Sequence, residues 1–377
     1  MNNSEEMSVA IVGCGFVADY YMATIEHYPH INIAGVFDID TKRLKTFCDF
    51  YQLDAYESFE AILANSNINI VLNLTDPRSH YEVSKQCLEK GKNVYSEKPL
   101  AMSYEDAKEL VCLAEKKGLH IHSAPCSLFG NLAQTLKSAV SGKVCGDIRL
   151  VYAELDDGMI HKQPYKMWVS KSGAPWPYKD EFEVGCTLEH AGYYLTWLVA
   201  MFGRVEKVIA FSDCLIKEKV HDQELTPKYT ADTSLATLVF SEGVVARLST
   251  TIVAPSKRSL QVIGEKGVLE VDDCWNNNGS VYFRRLITIR RKTFLSPIRK
   301  KLKSVCGEKM PTTSSGKTKM DFLLGVDGLR RTVLGERSKA DSQFALHVNE
   351  VALALQYSGR DGVLYRPESE LSSHCKK

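Results

Sequence analysis

The sequence predicts a two-domain α/β protein, with an N-terminal doubly wound parallel sheet and a C-terminal α+β domain whose sheet is open and mostly antiparallel. The chain has 377 residues, more than one hydrophobic core usually organises. Between residues 8 and 125, short apolar strands alternate with amphipathic helices, which is typical of a parallel sheet. After about residue 148, strand-like runs follow one another with few helices between them. We therefore expect domains over 1–125 and 126–377.

The first domain is expected to contain five strands that are rich in branched apolar residues. These strands are predicted at 8–12, 32–38, 68–74, 93–96 and 120–124. Helical periodicity falls at 19–28, 41–51, 59–64, 80–90 and 104–117, with a further helix at 131–140. Ligands of such sheets lie at the carboxyl ends of the strands. The residues that follow each strand are therefore the first candidates for a site.

The second domain is expected to be built from longer strands joined by tight turns. Strands are predicted at 148–155, 205–212, 233–240, 244–252, 260–264 and 267–272, and helices at 188–202 and 340–358. The segments 240–244 and 264–267 carry glycine in the pattern of hairpin turns. The last helix is compatible with packing on either domain.

A basic segment over about 284–318 stands apart from these elements. It contains ten Lys and Arg residues and one acid between positions 284 and 309, followed by a polar stretch at 311–316. Such charge runs are usually solvated, which predicts a partly mobile insertion. The alternative is a lid or a surface patch that attracts phosphate groups or an anionic membrane surface.

Composition excludes several classes of protein. With 44% hydrophobic residues, 25% charged residues and a net charge of +1, the chain is globular and is not expected to bind nucleic acid. Its eleven cysteines are scattered without a CxxC pair, which predicts reduced thiols and no metal site. The N-terminus lacks a signal-peptide pattern, and no run reaches about 18 apolar residues. We expect a cytoplasmic protein without a transmembrane segment.

The segment from Gly13 to Ala18, Gly-Cys-Gly-Phe-Val-Ala, follows the first strand and opens a helix. Gly13 permits the tight turn, Gly15 lets the backbone approach a pyrophosphate, and Ala18 is small enough for close helix–strand packing. Phe16 and Val17 complete the turn and are expected at the same site. The pattern predicts dinucleotide binding, although a glycine turn without a nucleotide remains the alternative.

Asp38 ends the second strand, where a carboxylate can accept hydrogen bonds from the adenosine ribose and would repel a 2′-phosphate. Ile39 and Asp40 place no cation beside it, so NAD is favoured over NADP. Lys42 and Arg43 keep NADP open. Asp38 could instead cap the helix at 41–51.

Two further loops follow the third and fourth strands. Thr75, Pro77 and His80 lie in the first loop, where the backbone is expected to line the cofactor. Glu97-Lys98-Pro99 forms the second loop: Lys98 is expected to donate a proton or a hydrogen bond to a substrate oxygen. Glu97 would orient Lys98 by ion pairing, and Pro99 restricts the backbone of Lys98. A surface lysine before a loop is the alternative for Lys98.

With these motifs the chain resembles the Gfo/Idh/MocA family of NAD(P)-dependent oxidoreductases over nearly its whole length. The resemblance is strengthened by Asp232-Thr-Ser, Gly264-Glu-Lys-Gly267 and Gly325-Val-Asp327. It implies a Rossmann domain followed by an open sheet used for substrate binding and often for oligomerisation, here as a dimer or tetramer. It also implies that Lys98 acts at the active site, and that the substrate is a sugar, an inositol or a sugar nucleotide.

One motif departs from the family pattern, which has Asp-x-Gly-x-His where this chain has His190-Ala-Gly-Tyr-Tyr194. Aligned on Gly192, His190 takes the Asp position and Tyr194 the His position. Residues four apart share one helix face, so both are predicted to point to the nicotinamide, with Tyr194 relaying a proton and His190 positioning it. The alternative is that these rings pack in a helix core and catalysis has been lost.

The sequence thus predicts an NAD(H)-dependent sugar or sugar-nucleotide oxidoreductase, by analogy one that acts in surface-polysaccharide synthesis. An aromatic, charged loop over 168–183 is expected to form a substrate wall or to pack on itself. Two other functions stay open: a non-catalytic NAD-binding regulatory protein, and an NAD-dependent glycosidase that oxidises its sugar transiently.

Overall fold

The N-terminal part forms a parallel five-stranded sheet, as predicted. A computed structural model describes residues 6–217, 230–306, 309–312, 319–336 and 340–371. The strand order is β2-β1-β3-β4-β5, and every neighbouring pair is parallel. The strands are β1 (Met7–Val12), β2 (Ile31–Phe37), β3 (Ile70–Asn73), β4 (Asn93–Ser96) and β5 (Ile121–Ser123). The chain reverses direction across the sheet at β1, so the ends of β1 and its neighbours β2 and β3 border one crevice.

Helices connect these strands, and several begin at a polar side chain that accepts a hydrogen bond from a free backbone N–H. Asp40 accepts from the N–H groups of Lys42 and Arg43, and Ser103 accepts from Asp106. The helices are α1 (Ala18–Met22), α2 (Thr41–Tyr51), α3 (Phe59–Ala64), α4 (His80–Glu89) and α5 (Tyr104–Lys117). Because Asp40 caps α2, Asp38 is left for another role.

The C-terminal part contains a nine-stranded sheet, antiparallel except for one parallel pair, β6 and β9. Its order is β13-β12-β11-β10-β6-β9-β8-β7, with β14 beside β12. The strands are β6 (Ile148–Asp156), β7 (Val205–Asp213), β8 (Thr233–Phe240), β9 (Val245–Thr251), β10 (Leu260–Gly264), β11 (Gly267–Val271), β12 (Val281–Ile289), β13 (Lys292–Leu295) and β14 (Lys300–Lys301). Both predicted hairpin turns, between β8 and β9 and between β10 and β11, are present.

The remaining helices pack on this sheet, on the first sheet or on other helices between the two. They are α6 (Asn131–Ser141), α7 (Tyr178–Val184), α8 (Cys186–His190), α9 (Gly192–Phe202), α10 (Leu323–Val333) and α11 (Ser342–Asp361). The last helix contacts both domains: it packs along β7, and the amide side chain of Asn349 bonds the backbone of Ala101 in both directions. The sequence left open which domain this helix packs on, and the structure shows that it packs on both.

Several elements differ from the sequence-based expectations, among them α7 and α10, which were not predicted. The basic segment is not wholly an irregular insertion, because β12, β13 and β14 occupy its described part up to Lys301. The helix predicted at 188–202 is two helices, which adjoin at Ala191. The helix predicted at 19–28 ends at Met22 and is followed by a short 3-10 turn. No helix in the part of the chain that the structure describes has the length and apolar character to cross a membrane.

Candidate active site

A large cleft lies at the carboxyl ends of the parallel strands and extends to the second domain. Its volume is about 1640 Å³. Residues from both domains line it, among them most of the predicted cofactor site: Gly13, Gly15, Phe16, Val17, Asp38, Thr75, Pro77, His80, Glu97 and Lys98. Ala18 does not line the cleft, because it is fully buried beneath the turn. Its position suits the packing role that the sequence predicts.

The two glycines of the turn meet different surroundings. Gly13 has φ +100°, and a Cβ there would lie 2.5 Å from the carbonyl oxygen of Leu74. A Cβ at Gly15 would meet no protein atom within 4 Å, since the residue faces the open cleft. Gly13 is therefore required by the fold, whereas Gly15 leaves room for a ligand to approach the backbone.

Asp38 is held in place at the edge of the cleft by two backbone N–H groups. Its Oδ2 accepts from Cys14 at 2.7 Å and its Oδ1 from Asp40 at 2.8 Å. The carboxylate is therefore fixed against the glycine turn, where an adenosine ribose would lie. Arg43, whose role the sequence left open, brings its Nη1 to 3.6 Å from Asp38 Oδ2.

The loop after β3 is tied to the Lys98 loop through His80. The ring nitrogens of His80 lie 2.7 Å from the carbonyl oxygen of Pro99 and 3.0 Å from that of Thr75. Burial lowers the pKa of His80, although both carbonyls and Glu97 oppose this. His80 thus connects the two loops that line the cleft, and Pro77 begins the turn between Thr75 and α4.

Lys98 forms an ion pair with Glu189, a residue that the sequence analysis did not single out. Burial lowers the pKa of Lys98, but the carboxylates of Glu189 and then Glu97 outweigh it, and the pKa lies above its ordinary value. The predicted ion pair between Glu97 and the Lys98 ammonium group is not formed, because the ammonium group pairs with Glu189. The Glu97 carboxylate instead accepts from the Tyr21 hydroxyl at 2.7 Å and from the Lys98 N–H at 3.1 Å.

His190 lines the cleft and is paired with a second buried carboxylate. Its Nε2 lies 3.0 Å from Glu181 Oε1. Burial lowers the pKa of His190, but the Glu181 carboxylate raises it more, so the net shift is upward. The pair fixes the ring and directs Nε2 to Glu181, so that Nδ1 is the nitrogen left for a ligand.

Tyr194 is not on the cleft, contrary to the prediction from helical spacing. Its hydroxyl donates to the carbonyl oxygen of Arg258 at 2.7 Å, and its side chain is fully buried. Ala191 keeps helical φ and ψ between α8 and α9, so the burial of Tyr194 follows from its contact with Arg258 and not from a change of helix face. Tyr193 lines the cleft instead, with its ring 5.5 Å from that of Trp275.

Three buried polar atoms of residues that line the cleft have no hydrogen-bond partner. They are Glu189 Oε1, His190 Nδ1 and Trp275 Nε1. An unsatisfied buried polar atom costs roughly 1–3 kcal/mol, which a ligand hydroxyl would recover. One acceptor, one ring nitrogen and one donor therefore mark a place for a polar ligand beside Lys98.

The aromatic loop packs on itself, as one of the two alternatives predicts, and it also lines the cleft; its role as a substrate wall stays a prediction. Trp168 and Trp176 lie 5.0 Å apart between ring centroids, and both border the cleft. The loop is anchored to the first domain at Ser172, whose N–H and hydroxyl each donate to Asp19 at 2.8 Å. It therefore spans the cleft from the second domain to the start of α1.

The arrangement fits a nicotinamide dinucleotide. Gly15 exposes backbone, Asp38 is fixed for a ribose, and Glu189, which carries one of the unpartnered atoms, is paired with Lys98. Sequence reasoning gave no site role to Glu189, Tyr193 and Trp275, and it placed Glu181 in the aromatic loop without a role of its own. Glu189 and Tyr193 lie within or beside the departing motif, so closer attention to its neighbours was the available signal.

Comparison with known proteins identifies both halves of the chain. The profile "Oxidoreductase family, NAD-binding Rossmann fold" of the Gfo/Idh/MocA group matches residues 7–124, and "GFO/IDH/MocA C-terminal domain" matches 133–270. The trans-1,2-dihydrobenzene-1,2-diol dehydrogenase of Xenopus tropicalis is 24% identical over 273 residues, covering 71% of this chain and 76% of that one.

Two solved structures share the fold. A putative NADPH-dependent oxidoreductase from Desulfitobacterium hafniense superimposes with a TM-score of 0.74 at 18% identity, covering 96% of this chain and 97% of that one. The WlbA dehydrogenase from Chromobacterium violaceum, solved with NADH and UDP-GlcNAcA, gives 0.69 at 21% identity, with 97% and 96% covered.

Proposed function

The chain belongs to the Gfo/Idh/MocA family of NAD(P)-dependent oxidoreductases, and from this premise we propose that it interconverts a hydroxyl and a keto group on a sugar or sugar nucleotide, with NAD(H) as its cofactor. The observation that carries the proposal is the set of unpartnered polar atoms on Glu189, His190 and Trp275 beside the Lys98 ammonium group. Such a set suits a substrate with several neighbouring hydroxyls.

Asp38 supports NAD(H) as the cofactor. Its carboxylate is held by two backbone N–H groups and would repel a 2′-phosphate. Arg43 lies close enough to offset part of that repulsion, although its guanidinium also contacts Asp40 at 3.3 Å. We expect tighter binding of NADH than of NADPH, with a preference that Asp38→Ala reduces. Equal affinities in the wild-type protein would contradict this assignment.

Lys98 and Glu189 are proposed to handle the proton. Bound NAD(P) supplies the hydride acceptor or donor at its nicotinamide ring. Lys98, protonated because its pKa is raised, donates a hydrogen bond to the substrate oxygen. Burial raises the pKa of Glu189, and Lys98 lowers it in part. During oxidation the hydroxyl proton passes to Glu189 Oε1, and during reduction it returns to the carbonyl oxygen.

His190, Tyr193 and Trp275 are proposed to position the substrate. The Glu181 carboxylate fixes the His190 ring, so Nδ1 is offered to a neighbouring hydroxyl. Trp275 presents Nε1 and an aromatic face, and such faces commonly pack against sugar rings. The WlbA dehydrogenase was solved with a nucleotide-linked sugar, which supports including sugar nucleotides. A role in surface-polysaccharide synthesis remains our analogy.

The direct test is a substrate screen with the purified protein. Sugars and sugar nucleotides are offered with NAD⁺, and the corresponding keto compounds with NADH, while absorbance at 340 nm follows the reduced nicotinamide. We expect turnover with at least one polyhydroxylated substrate, and its loss in Glu189→Gln. Binding of NADH with no absorbance change across the panel would favour the regulatory alternative. Release of an aglycone without net reduction of NAD⁺ would favour the glycosidase.

A further inference from the structure

The basic segment forms a two-stranded ribbon that projects from the second sheet. β11 pairs with β12 only as far as Arg285, and beyond that point β12 pairs with β13 alone. Residues 286–295 therefore have no third strand beside them among the residues that the structure describes. Both faces of this ribbon are open to solvent, so its side chains are available to a partner.

The ribbon and the strand that continues it are strongly cationic. Residues 284–303 contain nine Lys and Arg residues and no acid. Two of these cations are used inside the fold: Arg284 pairs with Glu270, and Arg299 with Glu270 and Asp272. The structure records no ion pair among its described residues for the others, which are Arg285, Arg290, Arg291, Lys292, Lys300, Lys301 and Lys303. Within the described part of the chain, this surface is therefore not neutralised by acidic side chains.

Large apolar side chains lie among these cations. Ile289, Phe294 and Ile298 are 58%, 51% and 74% exposed. The register pairs Ile287 with Phe294 and Ile289 with Lys292. Directly opposed residues point to the same face, so Ile287, Ile289 and Phe294 form an apolar strip bordered by Lys292.

The tip of the ribbon is formed by residues that do not favour its geometry. Arg290 and Arg291 have φ of 48° and 75°, values that glycine and asparagine adopt most readily in a two-residue hairpin turn. Arginine pays a conformational cost at such positions. Two arginines at the tip therefore occupy positions that the backbone disfavours for them, which points to a role for their charge.

We propose that this ribbon docks the protein on an anionic lipid surface, with its cations on the headgroups and its apolar strip in the interface. Basic and apolar residues side by side are what such a surface selects. Protection of the sheet edge against pairing would account for the lysines but not for the exposed Ile289, Phe294 and Ile298. A second copy of the ribbon would bring like charges together, and stacking on single-stranded nucleic acid would need more than one aromatic ring.

The test is cosedimentation of the full chain with vesicles of phosphatidylcholine, alone or with roughly one-third phosphatidylserine, at about 0.1 M salt. We expect binding to the anionic vesicles only. Two variants separate the components of the surface: R290E/R291E/K292E reverses the tip charges, and I289S/F294S removes the apolar strip. Each is expected to weaken binding at least about tenfold.

A matched control carries the same change of net charge elsewhere. K45E/K108E/K116E reverses three exposed lysines of the first domain and is expected to bind as the wild type does. The proposal is overturned if anionic vesicles do not bind, if this control loses as much affinity as the tip variant, or if I289S/F294S has no effect. Tighter binding of duplex DNA, in competition with the vesicles, would also overturn it.

Discussion

Lys98 is the residue on which the proposed chemistry depends most directly. Its ammonium group pairs with Glu189 and lines the cleft. We predict that Lys98→Ala lowers kcat by about 10²–10³-fold, as expected for loss of a hydrogen-bond donor that stabilises developing charge on the substrate oxygen. Steady-state turnover of the substrate found by screening gives kcat, and quenching of tryptophan fluorescence gives NADH affinity, which should stay within about threefold because the glycine turn is untouched. Turnover near the wild-type rate would rule out this role.

The neighbouring tyrosines give a matched pair of substitutions with opposite expectations. Tyr193 lines the cleft, whereas the Tyr194 hydroxyl donates to Arg258 in the protein interior. Tyr193→Phe should lower kcat/KM about tenfold at unchanged stability, because it removes a hydroxyl beside the substrate. Tyr194→Phe should lower the free energy of unfolding by about 1 kcal/mol and leave kcat/KM unchanged. Urea denaturation and initial rates measure both quantities. The reverse pattern would restore the predicted role of Tyr194.

The sequence predicted best the site residues that stand at the end of a parallel strand or just after it. Asp38 and Lys98 lie where parallel-strand topology requires, so their place on the cleft follows from the sequence. Tyr194 was misplaced because helical spacing predicts a shared face but not depth: its hydroxyl donates to the carbonyl oxygen of Arg258 in the interior, a residue 64 positions away. Glu189 was missed because its pairing with Lys98 joins residues 91 positions apart.

At the level of elements, the glycine turn separates what the fold requires from what the cofactor requires. A Cβ at Gly13 would lie 2.5 Å from the Leu74 carbonyl oxygen at φ +100°, whereas Gly15 faces open space. Gly13→Ala should destabilise the protein by about 1–3 kcal/mol. Gly15→Ala should change stability by less than about 1 kcal/mol yet weaken NADH binding at least about tenfold, because its methyl group occupies the approach to the pyrophosphate.

Thermal unfolding without cofactor and NADH titration distinguish these two effects of the glycine substitutions. If Gly15→Ala is destabilised and loses NADH affinity only in proportion to the fraction of unfolded protein, Gly15 serves the fold alone. Gly91→Ala is a suitable reference, since Gly91 has φ +79°, no atom within 4 Å of its Cβ position and no place on the cleft. It should lose some stability and leave NADH affinity unchanged.

Secondary structure was predicted well where charge and periodicity agreed. Helices α2, α3 and α5 and strands β4, β8 and β10 begin and end at the predicted residues. The strands of the basic segment were not predicted, although Tyr282, Phe283, Ile287 and Ile289 favour a strand. Their charges pointed to a solvated loop, and pairing with β11 outweighed that tendency. Tertiary pairing of this kind has no local signal.

For the whole molecule, a charged cluster between the domains fixes how the cleft is closed. Arg78 follows β3, and its guanidinium lies 3.0 Å from Glu183 and 3.6 Å from Asp180, both on α7. With the bond from Ser172 to Asp19, it holds the aromatic loop across the cleft. Neither contact was foreseeable from one sequence, because each joins residues that only the domain arrangement brings together.

This cluster makes stability depend on pH. Burial, then a hydrogen bond and the charge from Asp76, raise the pKa of Asp180 to about 8, compared with about 3.9 in an unfolded chain. Between these values the folded state binds more protons than the unfolded state, so stability falls as pH rises from about 4 to about 8. We predict that Asp180→Asn, which mimics the protonated carboxyl, removes at least about 1 kcal/mol of the loss between pH 5 and pH 8. Urea denaturation at the two pH values measures this difference. Asp49→Asn, on the exposed surface of α2, should keep the wild-type dependence; the same dependence in Asp180→Asn would show that Asp180 is ionised throughout this range.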